Sequence, residues 1–181
     1  MNRHATRFLA VVGLQFLLLF SVVGFKQYVI ASGMTVLLKV QPVDPRSLFQ
    51  GDYVHLRYDI SNFRSGQLAG DDVYSLGSSA YVELARGDDG YWRGVAIYRG
   101  SHHVPAGHVL IKGKVEDRSF APNSSYGFTY GIEDVFVPEG SGRAVETARG
   151  DIGVEVKVDR FGNAVARRII IGGQPFKPRV R

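Results

Sequence analysis

An apolar run near the N-terminus constrains this chain more than any other feature. Residues 8–25 are almost continuously apolar, interrupted only by Gln15, Ser21 and two glycines, and the run extends to Ile30 if Lys26 is tolerated at its rim. As a helix, about 18–23 residues span roughly 27–35 Å, which is enough to cross the hydrocarbon core of a bilayer. A cleaved signal peptide has a shorter apolar region, about 7–15 residues. We therefore predict an uncleaved transmembrane anchor over residues 8–30, which contacts the lipid bilayer.

The charges around this run predict its orientation and the domain organisation. Arg3 and Arg7 precede it, and the first 31 residues contain no acidic residue. Basic flanks of a span stay in the cytoplasm. We therefore expect a cytoplasmic N-terminus at residues 1–7, one extracytoplasmic domain over residues 33–173 and a basic C-terminal tail at 174–181.

The overall charge does not indicate a nucleic-acid-binding protein. The formal net charge is +5, and Arg3, Arg7 and Lys26 supply three of those charges within the predicted anchor and its flank. The remaining excess is small and scattered. The chain has no cysteine, which excludes disulfides, thiolate metal sites and cysteine nucleophiles. We expect no nucleic-acid partner.

Alternation of apolar and polar residues between turns predicts an all-β domain. Turn signals recur at strand-length spacing, and no long amphipathic helix follows the anchor, so we predict an antiparallel sandwich or a small barrel preceded by one N-terminal transmembrane helix. The predicted strands cover residues 36–40, 52–60, 80–85, 91–98, 109–116, 126–137, 152–158 and 164–171, whereas residues 61–72 are predicted to form a loop.

The stretch at residues 42–60, PVDPRSLFQGDYVHLRYDI, has the strongest local pattern. Asp44 and Pro45 indicate a turn, and Gly51 supplies backbone freedom before a strand. From Asp52 onward the period of two places Leu56 and Tyr58 on the apolar face, and a buried Tyr58 hydroxyl then needs a hydrogen-bond partner.

This stretch resembles the signature of the GDYXXLXY family of bacterial membrane-anchored proteins. GDYVHLRY at residues 51–58 carries the signature, and VDPR at 43–46 and YGIEDVFVPEG at 130–140 are also similar to that family, although Val135 replaces an expected aromatic residue. The resemblance implies a domain outside the bacterial cytoplasmic membrane and association with another integral membrane protein. It implies no biochemical activity, and the role of the family is uncharacterised.

The resemblance and the two motif blocks select nine candidate interaction residues. These are Asp44, Arg46, Gly51, Asp52, Tyr53, Leu56, Tyr58, Glu133 and Glu139. If the blocks meet in space, Arg46, Asp52, Tyr53 and Glu139 are expected to form one polar cluster. The alternative is structural: the acidic residues serve turns or pair with arginines, and the tyrosines pin strands to their neighbours.

Three other functions are compatible with particular residues. A hydrolase similar to signal peptidases would pair Ser47 with Lys112 or Lys114, but the segment around a signal-peptidase serine is missing. A metal site would use His102, His103 and His108, which lack a nearby carboxylate in sequence until Glu116. A barrel that binds a small ligand would need a large apolar pocket lined by tyrosines. We predict no catalytic residue, metal or cofactor, and an interaction module rather than an enzyme.

Overall fold

A computed structural model describes residues 3–41, 49–50, 53–71, 73–118, 125–136 and 152–176. Several predicted features lie outside these residues, namely the candidates Asp44, Arg46, Gly51, Asp52 and Glu139 and the serine Ser47.

The N-terminal apolar run forms one long helix, α1 (Arg3–Ser32). The part from Thr6–Ser32 is long and apolar enough to be a membrane span or a signal sequence. Its large apolar side chains are exposed along almost its whole length, whereas Val29 is completely buried against the sheet. The Ser21 hydroxyl donates to the carbonyl of Leu18 at 2.7 Å. This bond satisfies a polar group that would otherwise be costly in an apolar environment.

The described residues after α1 form thirteen strands. They are β1 (Met34–Lys39), β2 (Phe49–Gln50), β3 (Tyr53–His55), β4 (Asn62–Arg64), β5 (Ala69–Gly70), β6 (Ser79–Arg86), β7 (Trp92–Tyr98), β8 (Val109–Arg118), β9 (Ser125–Thr129), β10 (Asp134–Phe136), β11 (Ile152–Val158), β12 (Ala164–Ile171) and β13 (Gln174–Pro175).

Ten of these strands form one large sheet in the order β13-β12-β11-β1-β7-β6-β8-β9-β4, with β5 added beside β7, and β10-β3-β2 form a small second sheet. Pairing is antiparallel except for the short contacts of β7 with β1 and with β5. The all-β class and the single N-terminal helix are confirmed, and the large sheet is open and not closed into a barrel.

The predicted alternation produces the core of the large sheet. Val36 and Leu38 of β1 are fully buried, as are Val154 and Val156 of its neighbour β11. In β6, Glu83 is buried together with its neighbours Val82 and Leu84, beside a register shift at which β7 contributes one extra residue, Val95. This burial interrupts the alternation of β6, and a carboxylate is costly to bury without partners.

The strand predicted over residues 52–60 is too long, but the prediction of which of its side chains face the core is right. β3 ends at His55, Tyr58 bridges to Val40, and a 3-10 turn follows at Asp59–Ser61. The chain turns because the Ser61 hydroxyl accepts from the amide of Tyr58 at 3.1 Å, a side-chain bond that competes with a strand ladder. Leu56, Tyr58 and Ile60 are nonetheless buried, as the period of two predicted.

Two further segments differ from the sequence prediction. The predicted loop at residues 61–72 contains the short strands β4 and β5, which add to the large sheet. A turn at Gly172 and Gly173 leads into β13, so the sheet extends into the segment predicted as a tail.

Candidate interaction site at the paired motif strands

The structure brings the two motif blocks together. β3 pairs with β10 in antiparallel register, with His55 opposite Asp134 and Tyr53 opposite Phe136. The amide of Leu56 extends this contact by donating to the carbonyl of Glu133 at 2.7 Å. Of the polar cluster expected on such a meeting, only Tyr53 falls within the described residues.

Two buried tyrosine hydroxyls join the blocks. Tyr58 donates to the carbonyl of Ile132 at 2.6 Å, and Tyr130 donates to the carbonyl of Ile60 at 2.5 Å. The expectation that a buried Tyr58 hydroxyl finds a partner is confirmed. Each block therefore satisfies a backbone acceptor of the other, which fixes their relative position.

Burial keeps both hydroxyls protonated. Loss of solvent raises the pKa of Tyr58 far above its ordinary value, and the carboxylates of Glu133 and Asp134 raise it further. The pKa of Tyr130 is raised for the same first reason, with Glu133 adding to it. A tyrosine in this state donates a hydrogen bond and is a poor base or nucleophile at neutral pH.

Glu133 organises the turn between the two tyrosine contacts. Its Oε1 accepts from the amide of Tyr130 at 2.6 Å, and its Oε2 accepts from the amide of Ile132 at 3.0 Å. Gly131 between them has a φ of 72°, a left-handed conformation that favours glycine. Among the described side chains no arginine lies within ion-pair distance of Glu133, so the backbone amides are its partners. Glu133 therefore has a structural task.

The exposed face of the paired strands carries His55, which lies at a position that the GDYXXLXY signature does not specify. His55 Nδ1 lies 2.8 Å from Asp134 Oδ1, and both side chains are about two-thirds exposed. Arg57 is also exposed. These side chains are available to a partner, whereas Leu56 and Tyr58 are not.

The lysines of the hydrolase alternative are solvated. Lys112 and Lys114 lie on the same exposed face of β8, and Lys114 is 3.7 Å from Glu116. A lysine that acts as a base for serine must be desolvated. These two therefore lack the required environment.

The histidine loop meets a carboxylate that sequence reasoning missed. His108 Nδ1 contacts Glu83 Oε1 at 2.5 Å, and His102 Nε2 is 3.6 Å from Glu83 Oε2. Glu83 lies on β6, where the alternation of the sequence does not indicate a buried position. In the described part of the chain, no three His, Cys, Asp or Glu residues are arranged to hold a metal ion.

A cavity of about 450 Å³ lies between α1 and the outer face of the large sheet. Phe25 and Lys26 line it from the helix, and Ser79, Lys112, Lys114 and Tyr130 are among its lining residues from the domain. Three lysines and one tyrosine line this cavity, whereas the expectation for a ligand-binding barrel is a pocket lined by tyrosines.

Together, these features define an all-β protein with a single N-terminal helix that has the length and composition of a membrane span. The family model described as GDYXXLXY protein matches residues 15–169, and the chain belongs to this family, as its motifs predicted. Comparisons with curated proteins and with solved structures found no match.

Proposed function

We propose that this protein is a single-pass accessory module of a bacterial cytoplasmic membrane, in which the β domain lies outside the cytoplasm and contacts another integral membrane protein. Arg3 and Arg7 before the apolar run support this orientation, because basic flanks remain on the cytoplasmic side. The family has no characterised function to transfer, so the proposal depends on the geometry of this chain.

The observation that carries the proposal is the rigid junction between helix and domain. Gly33 alone separates α1 from β1, and its amide donates to the carbonyl of Val29 at 2.9 Å. Its own carbonyl accepts from Lys157 Nζ at 3.1 Å. With no flexible linker, a spanning α1 would hold the domain against the membrane in a fixed orientation, as a contact with a neighbouring membrane protein requires.

The use of the motif residues also supports an interaction module over an enzyme. Tyr58, Tyr130 and Glu133 are occupied by backbone groups of the domain itself. The solvent-accessible polar groups beside them, His55 and Asp134, form the proposed contact surface.

Affinity purification from gently solubilised membranes tests this surface. We would compare wild type with the double variant His55→Ala/Asp134→Ala, whose exposed side chains contribute little to stability. Arg99→Ala is the matched control, because it removes an equally exposed side chain from another surface pair, with Asp71 at 3.6 Å.

We expect one membrane protein to co-purify with wild type and with the control, and to be depleted with the double variant. Equal recovery with all three proteins would show that this face is not the contact. Cleavage of a serine-hydrolase substrate by the purified protein would contradict the accessory role.

A further inference from the structure

The cavity beside α1 is positioned at the level where the apolar part of the helix ends. Lys26 follows Phe25, where the continuous apolar run ends, and Ser32 at the end of α1 is six positions further along the chain. Six helical residues rise about 9 Å, so Lys26 lies about two turns inside the end of the helix. In an anchor over residues 8–30, Lys26 lies about 6 Å inside the outer end, from where a long lysine side chain reaches the lipid headgroups.

Three lysines from two elements converge on this cavity. Lys26 comes from α1, and Lys112 and Lys114 come from β8. None of the described lining residues is acidic, and Glu116, 3.7 Å from Lys114, offsets part of one charge from outside the lining. The hydroxyl-bearing residues Ser79 and Thr129 also line it. Ammonium and hydroxyl donors around a cavity are suited to the oxygens of a phosphate group.

The turn that contacts Lys112 carries an exposed aromatic residue. Phe161, at the turn between β11 and β12, is about half exposed, and the guanidinium of Arg160 lies 4.6 Å from its ring centre. The carbonyl of its neighbour Gly162 accepts from the amide of Lys112 at 2.9 Å, which fixes this turn beside the cavity wall. An apolar residue next to basic residues is typical of a surface that rests on a membrane.

We propose that this cavity binds the phosphate of an anionic phospholipid, with the headgroup between Lys26, Lys112 and Lys114 and the acyl chains alongside Phe25. Such a lipid would fill the wedge between helix and sheet and fix the height and tilt of the domain over the bilayer. This inference rests on the proposed function, because it requires α1 to lie in a membrane.

The test uses the full-length protein in nanodiscs of equal parts phosphatidylglycerol and phosphatidylcholine. Native mass spectrometry after release from the nanodisc measures the ratio of the two lipids retained on the protein. We would compare wild type with Lys112→Gln/Lys114→Gln and, separately, with Lys26→Gln, which changes only the helix wall. Arg86→Gln is the control, because Arg86 is exposed and lies at the opposite end of β6 from Ser79, about 23 Å away.

We expect wild type and Arg86→Gln to retain phosphatidylglycerol preferentially, and the Lys112/Lys114 double variant to lose about tenfold or more of that preference. Lys26→Gln should lose a smaller part. If both lysine variants retain the wild-type preference for phosphatidylglycerol, the proposal is overturned. Displacement of the lipid by inorganic phosphate at constant ionic strength would also overturn it, because the cavity would then be assigned to a free anion.

The failure of this inference is distinguishable from failure of the proposed function. Incorporation into the nanodisc reports on the helix, lipid selectivity reports on the cavity, and the purification experiment reports on the protein partner. The fluorescence of Trp92, the single tryptophan, confirms that each variant is folded, since this side chain lies in the core.

Discussion

Removing one hydroxyl should reveal how strongly the two motif blocks hold each other. In Tyr58→Phe the ring keeps its fully buried place, so no cavity forms, but the carbonyl of Ile132 loses its donor at 2.6 Å. A buried acceptor left without a partner costs about 1–3 kcal/mol. With an m-value of about 2 kcal/mol per molar urea, a loss of about 2 kcal/mol lowers the unfolding midpoint by about 1 M.

The assay is urea unfolding of the full-length protein in detergent. The fluorescence of Trp92, which belongs to the same core cluster as Tyr58, monitors the transition. Tyr81→Phe is the matched control, because Tyr81 is half-buried and its hydroxyl makes no hydrogen bond within the part of the chain that the structure describes. Its midpoint should stay at the wild-type value. If Tyr58→Phe behaves like Tyr81→Phe, the hydroxyl contact does not lock the motif blocks.

Three further perturbations test the tyrosines, the helix junction and the hairpin of β11 and β12. The pKa values of Tyr58 and Tyr130 are raised by burial, so the unfolded state loses their protons first as pH rises above about 10, and unfolding becomes easier by roughly 1.4 kcal/mol per tyrosine per pH unit. Their contribution is complete below pH 10, and urea midpoints between pH 9 and 11 should fall more steeply for wild type than for the variant with both tyrosines changed to phenylalanine. Equal slopes would refute this. Gly33→Ala places a Cβ 2.5 Å from the carbonyl oxygen of Val29, so it should destabilise the domain by about 1–3 kcal/mol in the same assay. Gly100→Ala is the control and should leave the urea midpoint unchanged, because the space around Gly100 is open. Equal midpoints for the two variants would mean that the junction tolerates a side chain. Asp159→Ala removes acceptors for two backbone amides at 2.9 Å and should cost about 1.5–3 kcal/mol; a midpoint within about 0.5 kcal/mol of wild type would show that the turn holds without it.

Much of the strand pattern is readable from the sequence because alternation and turns coincide. β11 and β12 end where residues 152–158 and 164–171 were predicted to end, since the turn between them begins at Asp159, whose side chain binds backbone amides. The facing of Leu56 and Tyr58 follows from the same period of two.

Other features depend on contacts between distant residues and could not be read locally. The strand after Asp52 stops early because the Ser61 hydroxyl bonds back to Tyr58. Pairing of β3 with β10 joins residues about 80 positions apart, which no local pattern encodes. The contact of Glu83 with His108 joins residues 25 positions apart, and the lysine-lined cavity requires α1 to pack on the sheet.

The most direct test of the central claim, an uncleaved anchor with the domain outside the cytoplasm, is cysteine labelling. The chain has no cysteine, so His4→Cys and Ser101→Cys each introduce a single thiol, and both positions are exposed. Each variant would be treated with a membrane-impermeant maleimide in intact spheroplasts and after lysis. We expect labelling of Ser101→Cys before lysis, labelling of His4→Cys only after lysis, and a full-length product in both cases. Protection of Ser101→Cys until lysis, or loss of the His4 segment from the mature protein, would contradict it.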